Sequence, residues 1–332
     1  MSTIVITGAR GYIGSALSRR LAFEGHSLRL VSRAAGVPRI AAAGAKIDAI
    51  VADLCHERAW SSLLEGADAI VHLSSRTDMR AAEADQVGDE EINVEPMRAL
   101  VRAAALASKP PLVLFASTAT IVGVNTRNPV NEEIPDNPCS VYDRHKLACE
   151  RLLRDATARG ILRACSLRLS NVYGYGGASI NANRAILNTM LRRAINGERL
   201  TLYGDGTYMR DFIHVEDVVD AFRLAMMKPI VCDGRHYVIA SGGGHTLAEA
   251  YALIAEVALS QMARRVEIIR VPEPVDLHPI EKRNFIGISY LFQARTGWQP
   301  RFDLKAGIRD YFMHMASSSV VVLRPQFEPP NT

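Results

Sequence analysis

Apolar positions along the first half of the chain alternate between two patterns. Short, nearly unbroken aliphatic and β-branched runs occur at Ile4–Thr7, Ser27–Ser32, Lys46–Ala52, Ala67–Leu73 and Leu112–Ala116. Their length is that of strands, and stretches as continuous as Ala69-Ile70-Val71 and Leu112–Phe115 fit a sheet covered on both faces. Between them, helical spacing predicts helices over Tyr12–Phe23, His56–Leu64 and about Glu91–Ser108, and a helix over Ser140–Ala158 precedes a strand at Arg163–Leu169. Repeated βα units imply a parallel sheet with helices on both faces.

Beyond Asn171 the pattern changes. Short strands (Leu200–Tyr203, Phe212–His214, His236–Ile239) mix with separate helices (about Asn183–Asn196, Val215–Met227, Leu247–Leu259). This predicts a smaller α+β region over the carboxyl ends of the strands, where open α/β sheets bind ligands. After about Ala316 a serine run and Pro325, Pro329 and Pro330 predict a poorly ordered tail, apart from Val320–Leu323.

The first predicted strand runs straight into Gly8-Ala9-Arg10-Gly11-Tyr12-Ile13-Gly14 and then a helix. Strand, glycine turn and helix form the context of a dinucleotide site. Gly8 permits the tight turn, Gly11 lets backbone approach a pyrophosphate, and Gly14 lets helix and strand pack closely. The helix start offers unpaired amides to the phosphates. The spacing is G-x-x-G-x-x-G. The chain is therefore read as an α/β protein with a doubly wound, Rossmann-like sheet. Residues 1–170 form the NAD(P)-binding domain, with strand and helix returns from the C-terminal half. Residues 171–316 are mainly substrate-binding, and 317–332 form the tail.

Composition removes other classes. Net charge is +4 over 332 residues, and no basic cluster with interleaved aromatics points to nucleic acid. Five cysteines without C-x-x-C spacing fit a reduced, cytoplasmic protein. A strand beginning at residue 2 without a basic leader does not read as a signal peptide, and no apolar run reaches the length of a membrane span. No metal cluster stands out, and His72, His145 and His214 read as structural.

Tyr142 and Lys146 stand four apart on a predicted helix and so share a face. An ammonium beside a phenol favours the phenolate, which would make Tyr142 an acid/base at an alcohol or carbonyl carbon.

With these residues in view, the chain resembles the extended short-chain dehydrogenases/reductases, in their nucleotide-sugar epimerase, dehydratase and reductase group. Gly8–Gly14 matches the cofactor turn, and Asp53-Leu54 resembles the pair that holds the adenine. His72-Leu73-Ser74-Ser75 resembles the strand end beneath the nicotinamide ribose, and Asn93-Val94 the helix asparagine. Phe115–Gly123 resembles the segment whose catalytic Ser or Thr falls here on Thr118, beside Ser117. Leu167–Gly174, which includes Leu169, Asn171 and Val172, is similar to a substrate-side signature. So are Tyr203–Gly206 with Arg210–Val215, and Gly297–Pro300.

The resemblance implies that Thr118 and Tyr142 meet the reacting sugar oxygen. It implies that Lys146 lowers the Tyr142 pKa and binds the nicotinamide ribose. Asn171, Arg210 and Arg283 would meet a nucleotide-sugar diphosphate. Tyr203 either faces the base or packs in the core. It also implies a homodimer through the helices near 91–108 and 140–158.

NAD-preferring members carry Asp or Glu at the end of the second strand. Here Ser32 stands in that place with Arg33 following and Arg10 nearby, a set suited to a 2′-phosphate, so NADP(H) is expected over NAD(H). Dehydration is disfavoured because Ala119-Thr120 replaces the acidic residues that follow the catalytic hydroxyl in dehydratases. Redox at sugar C4 remains, with a 4-ketoreductase placed narrowly ahead of a 4-epimerase. A non-catalytic NADP-binding sensor ranks below both, because Thr118, Tyr142 and Lys146 are all kept. So does a reductase of small uncharged carbonyls, because Asn171 and Arg210 suit a diphosphate.

Overall fold

The computed structural model describes residues 2–34, 40, 45–124, 127–176 and 185–322. Its first half runs β1 (Thr3–Thr7), α1 (Tyr12–Phe23), β2 (Ser27–Ser32), β3 (Ile47–Val51), α2 (Glu57–Leu64), β4 (Ala69–His72), α3 (Met79–Ala84), α4 (Gln86–Asn93), α5 (Glu95–Ala105), β5 (Leu112–Thr118), α6 (Val141–Ala158), β6 (Arg163–Leu169) and β7 (Asn171–Tyr173). The second half runs α7 (Ile186–Asn196), β8 (Leu200–Tyr203), β9 (Met209–His214), α8 (Val215–Met227), β10 (His236–Ile239), β11 (Gly244–Thr246), α9 (Leu247–Met262), β12 (Ile268–Val271), α10 (Tyr290–Thr296) and α11 (Leu304–Val322).

Seven strands form one parallel sheet in the order β10-β6-β5-β4-β1-β2-β3. This is the doubly wound order expected from the βα alternation. Each face has its own apolar layer. One joins Leu17 and Leu21 of α1 to Val218, Val219 and Phe222 of α8 and to Trp298. The other joins Trp60 and Leu63 of α2 to Met97 and Leu100 of α5 and Leu153 of α6. Burial on both faces explains the unbroken apolar strands. A third cluster, around Leu191, Phe212, Ile254 and Ile308, supports the smaller region. There β9 pairs with β7 and β11, and β8 pairs with β12.

Several elements depart from the sequence reading for local reasons. The single helix expected over Glu91–Ser108 is two, α4 and α5, which meet at Val94. Pro96 in the first turn of α5 has no N–H to continue α4, so the chain restarts there. The strands β7 and β11 have three residues each and carry too little periodicity to be read. Helix α11 continues to Val322, through part of the segment expected to lack order, while residues 323–332 lie outside the described ones. The helix expected from Asn183 begins at Ile186, and residues 183–184 also lie outside the described ones.

At the centre of the sheet, the Thr7 hydroxyl ties β1 to the exit of β4. Its oxygen accepts the Leu73 and Ser74 amides, each at 3.2 Å, and lies 2.9 Å from His72 Nδ1. With both lone pairs used, Thr7 donates its one proton to Nδ1, so the imidazole proton sits on Nε2. His72 is enclosed, with Trp60 and Phe115 against its ring. Burial, with Lys146 nearby, pushes its pKa down to about 3. A histidine depressed in the native state binds a proton more readily when unfolded, so stability falls as pH drops below the unfolded value near 6.5. The His72 contribution should cost about 2 kcal/mol between pH 7 and pH 5. His72→Asn keeps an acceptor for Thr7 and should flatten that part of the stability profile, read by denaturant melts across pH. An unchanged slope would refute the assignment.

Candidate active site

The glycine turn leaves β1 at the centre of the carboxyl edge. Gly8 has φ +66°, and a Cβ there would stand 2.8 Å from the Ser74 amide nitrogen, so the turn packs backbone against backbone. Gly11 donates to Gly8 O at 2.7 Å and opens α1 without a side-chain cap. Among the described residues no side chain caps the first turn, which holds the Tyr12, Ile13 and Gly14 amides, and that cradle fits a dinucleotide pyrophosphate. The Tyr12 hydroxyl donates to Gly174 O at 2.6 Å, joining the turn to the segment after β7.

At the end of β2, Ser32 donates to Ala34 O at 2.7 Å, Arg10 reaches the same carbonyl at 3.5 Å, and Arg33 is exposed. Asp53 accepts the Cys55 amide at 3.0 Å. That bond and the charges of His56 and Arg33 hold its carboxyl below the ordinary value. Leu54 is buried, and its carbonyl accepts from Trp60 Nε1.

Asn93 sits beneath the loop that leaves β4. Its Oδ1 accepts from Ser75 Oγ at 2.9 Å and from the Arg76 amide at 2.8 Å, while its Nδ2 donates to Arg76 O and Asp89 Oδ2. It thus shapes the loop, and its amide is fully engaged with protein. The fully buried Asp89 also accepts from Arg76 Nε and meets His145 Nδ1, each at 2.8 Å. Burial opposes its ionisation, but these hydrogen bonds prevail and hold its pKa low.

Helix α6 carries the remaining groups. Ser140 caps it, accepting the Asp143 amide at 3.0 Å and donating to Asp143 Oδ2 at 2.7 Å. Lys146 Nζ donates to Ala116 O at 2.8 Å and stands 4.7 Å from the Phe115 ring centroid and 5.7 Å from that of Tyr142. Burial lowers its pKa to about 8.

The expected lowering of the Tyr142 phenol does not occur in this arrangement. Burial, with the Asp143 and Asp89 charges added, pushes it well above its ordinary value. The ammonium is directed to a backbone carbonyl rather than to the phenol.

Thr118 ends β5, and its Oγ1 lies 2.7 Å from Thr120 Oγ1, which in turn donates to Asp143 Oδ1. Ser117 faces the other way, donating to Glu150 at 2.5 Å. Glu150 also receives Arg168, at 2.6 Å from Nη2, and Arg168 reaches Asp136 at 2.7 Å. Leu169 ends β6, and Val172 lies in β7.

In the C-terminal half, two guanidinium groups are buried together. Arg210 donates to Met209 O at 3.1 Å, to Arg283 O at 2.5 Å and to Glu281 O at 2.5 Å, with the Glu281 carboxylate 3.7 Å away. Arg283 donates to Ile280 O at 2.7 Å and to Asn171 Oδ1 at 3.1 Å. Burial and the neighbouring Arg283 lower Arg210 to about 10, and burial also lowers Arg283. Asp211 binds Ser170, Ser241 and the Gly242 amide, a structural role between β6, β9 and the chain after β10. Tyr203 is 48% exposed at the end of β8, so it is not a core residue.

The three histidines are engaged with protein, His214 stacking on Phe302 at 4.0 Å. Among the described residues no group of three or more His, Cys, Asp or Glu side chains could hold a metal, and no helix is long and apolar enough to cross a membrane.

Sequence reasoning missed Asp89, Thr120, Asp143 and the Glu150–Arg168 pair. A signal existed for two of them. Ser140-x-x-Asp143 has cap spacing, and Glu150 lies four residues beyond Lys146 on its face.

Residues 4–240 match the NAD dependent epimerase/dehydratase family. The chain belongs to that family. It is 28% identical over 318 residues to the UDP-glucose 4-epimerase of Mycolicibacterium smegmatis, covering 92% of this chain and 95% of that protein. It is 30% identical over 318 residues to the UDP-glucose 4-epimerase of Lactobacillus helveticus, covering 91% and 93%. The fold is similar to that of UDP-glucose-4-epimerase from Stenotrophomonas maltophila with bound NAD and formylated UDP-arabinopyranose. That likeness has a TM-score of 0.83 and 24% identity, and covers 97% of this chain and 100% of that one. The protein is thus a nicotinamide-dependent enzyme of the nucleotide-sugar epimerase/dehydratase type.

Arg168 is almost fully buried between two carboxylates. Removing one member of such a group strands the others without compensation. Arg168→Leu should cost about 3–5 kcal/mol by chemical denaturation. A loss below about 1 kcal/mol would show that water compensates the carboxylates instead.

Proposed function

We propose that this protein interconverts the C4 epimers of a nucleotide-diphosphate sugar, oxidising and then reducing one carbon on a retained nicotinamide dinucleotide. The observation that carries the substrate class is the buried Arg210–Arg283 pair beside Asn171. Most of its hydrogen-bond partners are neutral backbone carbonyls and one amide oxygen. Two enclosed guanidinium groups hydrogen-bonded to neutral oxygens, with the Glu281 carboxylate 3.7 Å from Arg210 and the Asp143 and Glu281 charges acting on Arg283, suit a diphosphate. The relatives named as UDP-glucose 4-epimerases favour the epimerase over the 4-ketoreductase that the sequence placed narrowly ahead. Ala119-Thr120 after Thr118 supplies no carboxylate there for elimination of water.

In this reading the cofactor supplies reversible hydride transfer at C4. Gly8, Gly11 and Gly14 admit its pyrophosphate, and the Asp53-Leu54 turn lies at the adenine end. Leu73, Ser74 and Ser75, shaped by Asn93, pass beneath the nicotinamide ribose. Thr118 and Tyr142 share the reacting oxygen, and Lys146, Leu169 and Val172 border the nicotinamide. Tyr203 stands exposed at the base end. The helices expected to pair two copies are α4, α5 and α6.

A nucleotide-sugar panel tests this directly. Product should form with no net change in reduced-nicotinamide absorbance. Tyr142→Phe should lower turnover at least about 100-fold while cofactor stays bound, and Arg283→Ala should raise KM. Stoichiometric oxidation of the reduced cofactor by a 4-keto sugar would instead establish the reductase.

The pocket at the end of β2 favours NADP(H) in this proposal, because Ser32, Arg33 and Arg10 put a hydroxyl and two cations where a carboxylate would repel a 2′-phosphate. Arg33→Asp should shift the ratio of NADP to NAD affinity at least about tenfold toward NAD, by fluorescence titration. An unmoved ratio would remove Arg33 from cofactor selection.

A further inference from the structure

Helix α6 has two kinds of hydrogen bond at its start, one made within its own sequence and one made from outside it. The first is the local cap, in which Ser140 takes the Asp143 amide at 3.0 Å. Such a cap decides where the helix begins, but it moves with the helix and does not fix where the helix lies. The second is made by Glu83 of α3, whose Oε1 accepts the Val141 amide at 2.7 Å. Val141 is the first residue of α6, and its amide is one that a helix cannot pair internally. A carboxylate there makes a charge-assisted hydrogen bond at the positive end of the helix dipole. Tyr142 is the next residue.

The segment that carries Glu83 is tied down at each turn. Asp78 caps α3 by accepting the Ala81 amide, and Asp85 caps α4 by accepting the Gly88 amide, each at 3.0 Å. Ala82 of α3 is fully enclosed. Upstream, the Arg76 amide and carbonyl are both bonded to Asn93, and Arg76 Nε donates to the buried Asp89. One turn further along α6, His145 Nδ1 meets the same Asp89 at 2.8 Å. Val141 and His145 stand four apart, so α3 and α4 hold the first turn of α6 at each end, with Tyr142 between. Lys146 and Glu150 hold the helix to β5 instead.

We infer that Glu83 is a positioning residue for the reaction: it fixes the first turn of α6, and Tyr142 with it, against the loop after β4 that would pass beneath the nicotinamide. The inference rests on the C4 redox reading above, in which Tyr142 meets the reacting oxygen. Glu83 touches neither sugar nor cofactor and moves no proton; its contribution is geometric. Hydride transfer needs the sugar carbon over the nicotinamide, and proton exchange needs the phenol beside the oxygen on that carbon. Different elements carry the two requirements, the loop after β4 and the start of α6. A bond from α3 to the first turn of α6 keeps their separation constant. Orientation of this kind acts on the chemical step more than on binding, so its loss lowers kcat.

Two variants of similar length and helix propensity separate the bond from packing. Glu83→Gln keeps an oxygen that can accept the Val141 amide, whereas Glu83→Met offers only a weakly accepting sulfur. In turnover of a nucleotide-sugar, Glu83→Met should lower kcat at least about tenfold with KM nearly unchanged, and Glu83→Gln should keep most of the wild-type rate. A second readout needs neither substrate nor cofactor. In protein labelled at the tyrosine phenol carbon, the Tyr142 signal is assigned by its absence in Tyr142→Phe. It should move in Glu83→Met and stand near its wild-type place in Glu83→Gln.

The inference is overturned if Glu83→Met keeps wild-type kcat, if KM rises as steeply as kcat falls, or if Glu83→Gln is as impaired as Glu83→Met. An unmoved Tyr142 signal in Glu83→Met overturns it as well. If no nucleotide-sugar turns over, the C4 reading fails by itself, and the tyrosine signal still decides whether Glu83 holds Tyr142 in place.

Discussion

The candidate site depends on a polar clamp between helix α6 and the end of β5 with the residues that follow it. Helices usually lie on a parallel sheet through apolar side chains, and α6 does so at Leu153. Along its first half it binds the strand by hydrogen bonds instead. Lys146 takes Ala116 O, Glu150 takes Ser117, and Asp143 takes Thr120. The register of β5 on β6 places Ser117 opposite Arg168, which closes the clamp from the neighbouring strand. Each of these partners would be costly to leave unpaired in a buried site. The helix therefore cannot rotate or slide without stranding several charges, and Tyr142 and Thr118 are held in one relation to each other.

This construction explains what the sequence revealed and what it withheld. The sheet was legible because both faces are buried and the strands are uniformly apolar. The glycine turn was legible because backbone approach admits so few residue types. Tyr142 and Lys146 were legible because helical spacing puts them on one face. The clamp was not, because it depends on which carboxylate meets which hydroxyl across elements far apart in the chain. Glu150 on a helix reads like any solvated acid until β6 brings Arg168 against it. Asp89 likewise reads as a surface charge, yet it is enclosed by Arg76, Asn93 and His145. The Lys146 direction was misjudged for a related reason. Spacing places two side chains on one face but does not say which partner an ammonium prefers, and here a strand carbonyl wins.

The buried charges of the two halves of the chain follow different electrostatic plans. On the sheet side, the buried charges Glu150–Arg168 and Asp89–Arg76 are matched within hydrogen-bond distance. In the C-terminal half, Arg210 and Arg283 are buried against carbonyl dipoles, with the Glu281 carboxylate 3.7 Å from Arg210 and the Asp143 charge acting on Arg283. Burial lowers the pKa of both arginines. A fold selected for stability alone would pair such cations or expose them. Leaving them without a carboxylate in hydrogen-bond contact is what the proposed diphosphate site requires, because an anion would gain from a site already desolvated and ordered.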